Sequence, residues 1–120
     1  MKLGMQQCDG DCMEKSSVMR VWITNKNNRE ITPEMSESMV TFLSSAVEHG
    51  CIGSTFAEDD ERIIVYTRWT DEMVLEQFRS SEEYKIKEGK IIQSFAAAGF
   101  KIPDDILFNS TAKILFSNSP

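Results

Sequence analysis

The sequence predicts an α+β domain of the ferredoxin-like kind, a four-stranded antiparallel sheet with helices on one face. Two observations support this prediction. Short segments with the alternation or composition of strands are interleaved with segments of helical spacing that begin at capping residues. Their order along the chain is β-α-β-β-α-β, which brings the helices to the same side of the sheet.

The first strand is predicted at residues 18–25, where two sets of side chains alternate. The plainly apolar set is expected to face the helices and consists of Met19, Val21 and Ile23. Asn25 would continue that face at the end of the strand.

The first helix is predicted to begin after Thr32, because Thr32-Pro33-Glu34 combines a hydroxyl cap, a proline at the first helical position and an acidic residue. Gly50 is well suited to end this helix in a left-handed conformation. His49, the only histidine, has the chemistry of a general base. Its place in the last turn gives it a simpler expected role, an interaction with the negative end of the helix dipole.

The second and third strands are predicted at residues 51–58 and 62–69, joined by a charged hairpin turn. Alternation divides the third strand into two faces. One face carries Ile63, Val65, Thr67 and Trp69, and the other carries Arg62, Ile64, Tyr66 and Arg68. The first of these sets is expected to face the helices.

A short helix is predicted directly after the third strand, with Thr70 as its N-cap. Residues 80–83, Ser-Ser-Glu-Glu, form a second capping signature that starts the last helix, which is predicted at residues 81–98. Gly99 is expected to end that helix. An irregular segment containing Pro103 then leads to the last strand, predicted at residues 111–117.

The composition excludes several functional classes. With 13 basic and 19 acidic residues the net charge is −6, which disfavours binding to nucleic acid or anionic membranes. No apolar run has the length of a membrane span, and the N-terminus lacks the apolar stretch of a signal peptide, so we expect a cytoplasmic protein. The 120 residues suffice for one domain, predicted at residues 18–120 after a flexible tail of residues 1–17. Cys8 and Cys12 in this tail lack the further ligands of a zinc site.

The sheet face opposite the helices is expected to be covered by a second copy of the chain. The residues assigned to this face combine aromatic rings with guanidinium groups, a combination typical of protein–protein interfaces. They are Arg20, Trp22, Phe56, Tyr66 and Arg68. The sequence therefore predicts a homodimer.

Three pieces of the sequence carry a family resemblance. They are the turn at residues 49–53 (His-Gly-Cys-Ile-Gly), the strand that runs from Arg62 to Arg68-Trp69, and the segment from Phe78 to Tyr84 that contains Ser81-Glu82-Glu83. With these pieces, residues 18–117 resemble the antibiotic biosynthesis monooxygenase-like family of dimeric α/β-barrel proteins. The resemblance implies two ferredoxin-like domains paired into a dimeric α/β barrel.

In function, the resemblance implies a cofactor-independent monooxygenase that acts on a small electron-rich aromatic of the quinol or polyketide kind. A non-catalytic small-molecule-binding or stress-associated protein with the same fold is the alternative. A third reading is a domain that serves only subunit association, for which a filled interior is expected.

The resemblance and the strand alternation together place the site in an apolar pocket between the sheet and the helices. Asn25, Trp69 and Tyr84 are the candidate catalytic residues. Asn25 would hydrogen-bond a substrate oxygen, Tyr84 would pass a proton, and Trp69 would contribute to an aromatic wall. The candidate substrate-binding residues are Phe42, Thr67 and Phe78. The aromatic residues also fit a packing role in the core, and Asn25 also fits a turn.

No cofactor and no metal is expected. The haem-degrading members of the family use a histidine in the helix after the third strand. Counted without gaps, that position falls at or near Glu88, and the last predicted helix contains no histidine. Phe78 stands where those members have a tryptophan, so the resemblance implies the branch that works without a cofactor.

Overall fold

A computed structural model describes residues 17–117 of the chain. Its elements, in chain order, are β1 (Val18–Asn25), α1 (Pro33–Glu48), β2 (Cys51–Glu58), β3 (Arg62–Trp69), α2 (Glu72–Arg79), α3 (Glu82–Ala97) and β4 (Ile106–Lys113). The strands form one antiparallel sheet in the order β2-β3-β1-β4, so the predicted ferredoxin-like α+β fold is confirmed. Residues 1–16 of the predicted tail, including Cys8 and Cys12, lie outside the described residues. Within residues 17–117, no helix is long and apolar enough to span a membrane.

The helix boundaries follow the predicted capping chemistry with one correction. The Thr32 hydroxyl accepts a hydrogen bond from the Met35 N–H at 3.2 Å, and Gly50 ends α1 with a φ of 106°. The N-cap of α2 is Asp71, whereas Thr70 was predicted. An Asp71 carboxylate oxygen accepts a hydrogen bond from Val74 N–H at 3.1 Å. A carboxylate also places negative charge at the positive end of the helix, which a threonine hydroxyl cannot do.

The position of the last strand was predicted incorrectly. β4 spans Ile106–Lys113, whereas residues 111–117 were predicted. Its early residues pair with β1, for example Asn109 with Trp22 and Ile106 with Thr24. β4 is an edge strand whose side chains are largely exposed, so polar residues are tolerated there, and these residues give an irregular pattern in the sequence.

The two faces of β1 are the reverse of the prediction. Directly opposite residues in an antiparallel pair share one face of the sheet, and Trp22 lies opposite Val65 while Arg20 lies opposite Thr67. Val65 and Thr67 are buried beneath the helices, so Arg20 and Trp22 face the helices too. The apolar set therefore lies on the other face of the sheet: Met19, Val21 and Ile23.

Two further residues change face for the same reason. Phe56 pairs with Val65 and packs against the core, so it does not belong to the outer face as predicted. Asn25 pairs with Arg62 on the outer face, so the expectation that it faces the helices is wrong. Alternation identifies two faces of a strand, but it does not say which one is inside when both carry large apolar groups. Only Tyr66 and Arg68 of the predicted interface remain on the outer face.

The helices cover the inner face through two adjoining hydrophobic clusters. In one, α1 and α3 pack on β3 through Met35, Met39, Phe95, Ile63 and Val65. The other joins α2 to the end of β3 and contains Ala46, Cys51, Trp69, Leu75 and Phe78. Phe42 contacts both clusters, at the place where they border a cavity.

Candidate functional site

A cavity of about 290 Å³ lies between the inner face of the sheet and the three helices. One part of its lining is aromatic and consists of Trp22, Phe42, Trp69, Phe78 and Tyr84. The polar part of the lining consists of Arg20, Thr67, Arg79, Glu88 and Asn109. Its volume is at the lower end of the range for ligand pockets, roughly 300–1,000 Å³, and suits a ligand of one or two rings.

Phe78 is the centre of the aromatic wall. Its ring lies 5.5 Å from that of Trp69 in a stacked arrangement and 5.2 Å from Tyr84 at nearly a right angle. Phe42 lies 5.7 Å from both Phe78 and Tyr84. These separations are those of favourable aromatic pairs, so each ring holds its neighbours in one orientation.

The side chains of Thr67 and Trp69 are joined by a hydrogen bond. The Trp69 Nε1–H donates a hydrogen bond to the Thr67 hydroxyl at 2.8 Å, and both side chains are buried. The bond fixes the indole plane against Phe78 and occupies the indole N–H. In this arrangement Trp69 is a rigid wall, while its hydrogen-bonding group is turned to the protein.

Tyr84 and Glu88 form a polar pair on α3 at the cavity. They are four residues apart, so they lie on the same face of the helix, and the Tyr84 hydroxyl donates to a Glu88 carboxylate oxygen at 2.9 Å. Burial raises the pKa of Tyr84, so its hydroxyl stays protonated at neutral pH. Glu88 is exposed, which connects the pair to solvent.

Two arginines from different elements reach the same cavity. Arg79, at the end of α2, pairs with Glu76 at 3.2 Å, while its buried Nε has no hydrogen-bond partner among residues 17–117. Burial would lower the pKa of Arg79, but its contacts with Tyr84 and Glu76 raise it. Arg20, on β1, donates to the Thr111 hydroxyl at 3.1 Å. Burial and then the positive charge of Arg79 lower the pKa of Arg20.

The structure brings five of the six predicted site residues to the cavity: Phe42, Thr67, Trp69, Phe78 and Tyr84. Asn25 is not among the lining residues. Its side-chain oxygen accepts a hydrogen bond from the Asn27 N–H at 2.9 Å, as in an Asx turn. His49 is also used locally, since its Nδ1 lies 2.9 Å from the Ser45 carbonyl oxygen and its ring packs on Phe78 at 5.0 Å.

Sequence reasoning missed three charged residues of the site, Arg20, Arg79 and Glu88. The four-residue spacing from Tyr84 was a signal for Glu88, because it places the two side chains side by side on a helix. Arg20 was assigned to the wrong face together with Trp22. Nothing in the sequence indicated that Arg79 reaches the cavity, since arginine is common in the last turn of a helix, where it interacts with the negative end of the dipole.

Comparison of this chain with known proteins shows a similarity of fold and no significant similarity of sequence. No family model matches the sequence, and no curated protein matches it significantly. SnoaB, a cofactor-independent oxygenase from Streptomyces nogalater, has a similar structure with a TM-score of 0.60 and 9% identity, over 87% of this chain and 96% of SnoaB.

Two further solved structures have the same fold. A Caulobacter crescentus protein assigned to the antibiotic biosynthesis monooxygenases matches with a TM-score of 0.62 and 7% identity, over 86% of this chain and 93% of that protein. A conserved protein of unknown function from Bacteroides thetaiotaomicron matches with a TM-score of 0.57 and 15% identity, over 83% and 99%. The chain therefore has the fold of the antibiotic biosynthesis monooxygenase-like proteins.

Proposed function

We propose that this protein is a cofactor-independent monooxygenase that oxidises a small electron-rich aromatic in the cavity between sheet and helices. The observation that carries the proposal is the cavity itself, which combines an aromatic wall with the Tyr84–Glu88 pair and a guanidinium. The fold shared with SnoaB, which is a cofactor-independent oxygenase, supports the same chemistry. The volume favours one or two rings over a larger polyketide.

In the proposed reaction, the rings of the substrate pack on Phe78 and Trp69, and a ring hydroxyl approaches Tyr84. The hydroxyl proton passes to the Tyr84 oxygen while the Tyr84 proton passes to Glu88, and from there it exchanges with solvent. Arg79, which contacts Tyr84, stabilises the resulting substrate anion. The pKa of Tyr84 is raised by burial, so the phenol acts as a relay and does not hold the negative charge.

The deprotonated aromatic is the reductant for oxygen in this proposal. When a quinol such as a naphthalene-1,4-diol becomes a hydroxyquinone, the substrate supplies four electrons to O2. One oxygen atom enters the product as the new ring hydroxyl, and the other leaves as water with two hydrogens that the quinol loses. The roles proposed for the protein are to bind the aromatic, remove the proton and stabilise the anion.

Oxygen uptake tests this proposal. We expect the purified protein to consume O2 with at least one member of a panel of hydroquinones, naphthalenediols and anthrones, at a rate proportional to protein concentration. An electrode measurement with heat-denatured protein as the control separates this from autoxidation. Uptake no faster than the control across the whole panel would contradict the enzymatic proposal.

One observation favours the non-catalytic alternative, a small-molecule-binding protein. Asn25, the predicted hydrogen-bond donor to the substrate, lies on the outer face of the sheet. The predicted amide group at the end of β1 is therefore not available to stabilise a substrate oxygen. In that case an aromatic would bind without oxygen uptake. A purely structural domain is disfavoured because the interior is not filled.

We also propose that the protein acts as a homodimer through the outer face of its sheet. This open face carries Met19, Val21, Ile23, Ile64, Tyr66, Arg68 and Phe108. It is a broad apolar surface with aromatic and guanidinium groups, and none of the helices described for residues 17–117 packs on it. A second copy offers the same apolar surface, which makes a two-fold contact self-complementary.

Val21→Asp should convert this dimer into monomers at micromolar concentration. Val21 lies in the middle of the open face, so the dimer would bury two carboxylates close to each other near its axis. Sedimentation velocity measures the change, and Val47→Asp, on an exposed position of α1, is the matched control. A wild-type protein that is monomeric at micromolar concentration would overturn the dimer proposal.

A further inference from the structure

The charged side chains of the cavity are unevenly paired. Three of them line it, Arg20, Arg79 and Glu88. Glu88 accepts the hydrogen bond of Tyr84, and Arg79 pairs with Glu76. Arg20 forms no ion pair with any carboxylate of residues 17–117, and its one hydrogen bond is to the neutral Thr111 hydroxyl. Arg20 is therefore the arginine of the cavity without an ion pair among residues 17–117, and the carboxylates of Glu76 and Glu88 act on it only from a greater distance.

Two donors near this charge are also unused. Trp22 Nε1 and Arg79 Nε are both buried, and neither has a hydrogen-bond partner within the described part of the chain. Both residues line the same cavity as Arg20. A buried N–H group without an acceptor costs stability, and a ligand that supplies acceptor oxygens would recover that free energy once these side chains turn toward it, since neither nitrogen is open to the cavity in this structure.

The surroundings of Arg20 disfavour its charge. Burial and then the positive charge of Arg79 lower the pKa of Arg20, while Tyr84, Glu76 and Glu88 act in the opposite direction. A negative ligand group beside Arg20 would offset both effects, because it supplies a charge partner in a partly desolvated place. The net charge of −6 gives no such attraction over the whole molecule, so the effect is local to the cavity.

We propose that the ligand of this cavity is an aromatic carboxylate of one or two rings, whose carboxylate lies between Arg20 and Arg79. This inference rests on the proposed function in that it takes the same cavity as the ligand site. The planar fork of arginine matches a carboxylate, and the rings lie against Trp22 and Phe78. A monoanion would supply the carboxylate partner that Arg20 lacks among residues 17–117.

A competing explanation is that the arginines serve only the protein, with Arg79 holding Tyr84 and Arg20 bracing β4 through Thr111. Under that explanation the cavity is selective for shape and not for charge. A carboxylate and its uncharged amide would then bind equally well. The two explanations therefore differ in one measurable ratio of affinities.

Calorimetric titration of the full chain with 2-naphthoate and with 2-naphthamide measures this ratio. We expect naphthoate to bind about 10- to 100-fold more tightly than the amide, the range of a hydrogen bond to a charged group. Equal affinities, or tighter binding of the amide, would overturn the carboxylate proposal while leaving the cavity as an aromatic site. If neither compound binds at millimolar concentration, the carboxylate proposal and the cavity of the proposed function both fail.

Variants then assign the charge selectivity to residues. Arg20→Gln should lower the affinity for naphthoate by about 10- to 100-fold and leave the affinity for naphthamide unchanged. Arg62→Gln, an exposed arginine at the hairpin, is the matched control and should change neither. An equal loss for both compounds would show that Arg20 acts on shape and would overturn its assigned role. The comparison of acid with amide on the unmodified protein needs no variant to fold.

Discussion

Replacing Phe78 by alanine should lower the free energy of unfolding by about 3–5 kcal/mol, the usual cost of emptying a buried phenylalanine site. The side chain is 1% exposed and its ring contacts those of Phe42, His49, Trp69 and Tyr84. These neighbours belong to three different elements, α1 with its C-cap, β3 and α3, so they cannot close on the space together. Denaturant unfolding monitored by tryptophan fluorescence measures the change.

Met73→Ala is the matched control on the same helix. Met73 is 70% exposed, and its truncation should change the unfolding free energy by no more than about 0.5 kcal/mol. All variants are compared at one protein concentration, since association contributes to the stability of a dimer. A loss below about 1 kcal/mol for Phe78→Ala would show that the aromatic wall is not part of the core. Phe78 would then be a surface of the cavity only.

Tyr84→Phe should lower the rate of oxygen uptake by about 10²- to 10⁴-fold, the usual contribution of a positioned proton-transfer group. The hydroxyl is the group that links the cavity to Glu88, and its removal keeps the ring that packs on Phe42 and Phe78. The unfolding free energy should therefore change little. Initial rates on a substrate from the oxygen-uptake panel measure the effect.

Tyr66→Phe is the natural control, because the chain has only two tyrosines and Tyr66 lies on the open face of the sheet. Glu88→Gln should lower the rate in the same direction but less, since water reaches the exposed carboxylate and takes part of its role. The double variant of Tyr84 and Glu88 should be no slower than Tyr84→Phe alone, because the two groups act as a unit. Additive losses would contradict a relay.

Most of the fold was predictable because the boundaries of most elements depend on a local signal. Thr32 and Ser81 cap their helices as their side chains require, and Gly50 and Gly99 take positive φ values where the chain turns. Such effects involve neighbours within a few residues. The site was less predictable, because Arg20, Arg79 and Glu88 come from three elements whose relative positions no local signal specifies.

β1 and β3 show where this limit lies. In β3 the two faces differ clearly, with Arg62 and Arg68 on one of them, and the prediction of which face is inside is correct. In β1 both faces carry large apolar groups. The choice depends on register with β3, which sets Trp22 against Val65. A shift of one residue would exchange the two faces, so pairing alone decides the question.

The residues read in order were enough to give the sequence of elements, most of their boundaries, and four of the five aromatic residues that line the cavity. These depend on periodicity and capping, which are properties of short stretches of chain. Strand pairing and packing were needed to show that Arg20 and Trp22 turn inward, that Asn25 turns outward, and that the apolar residues of β1 form the open face. The reason is physical: the free energy of a strand face depends on what packs against it, and that partner is distant in sequence.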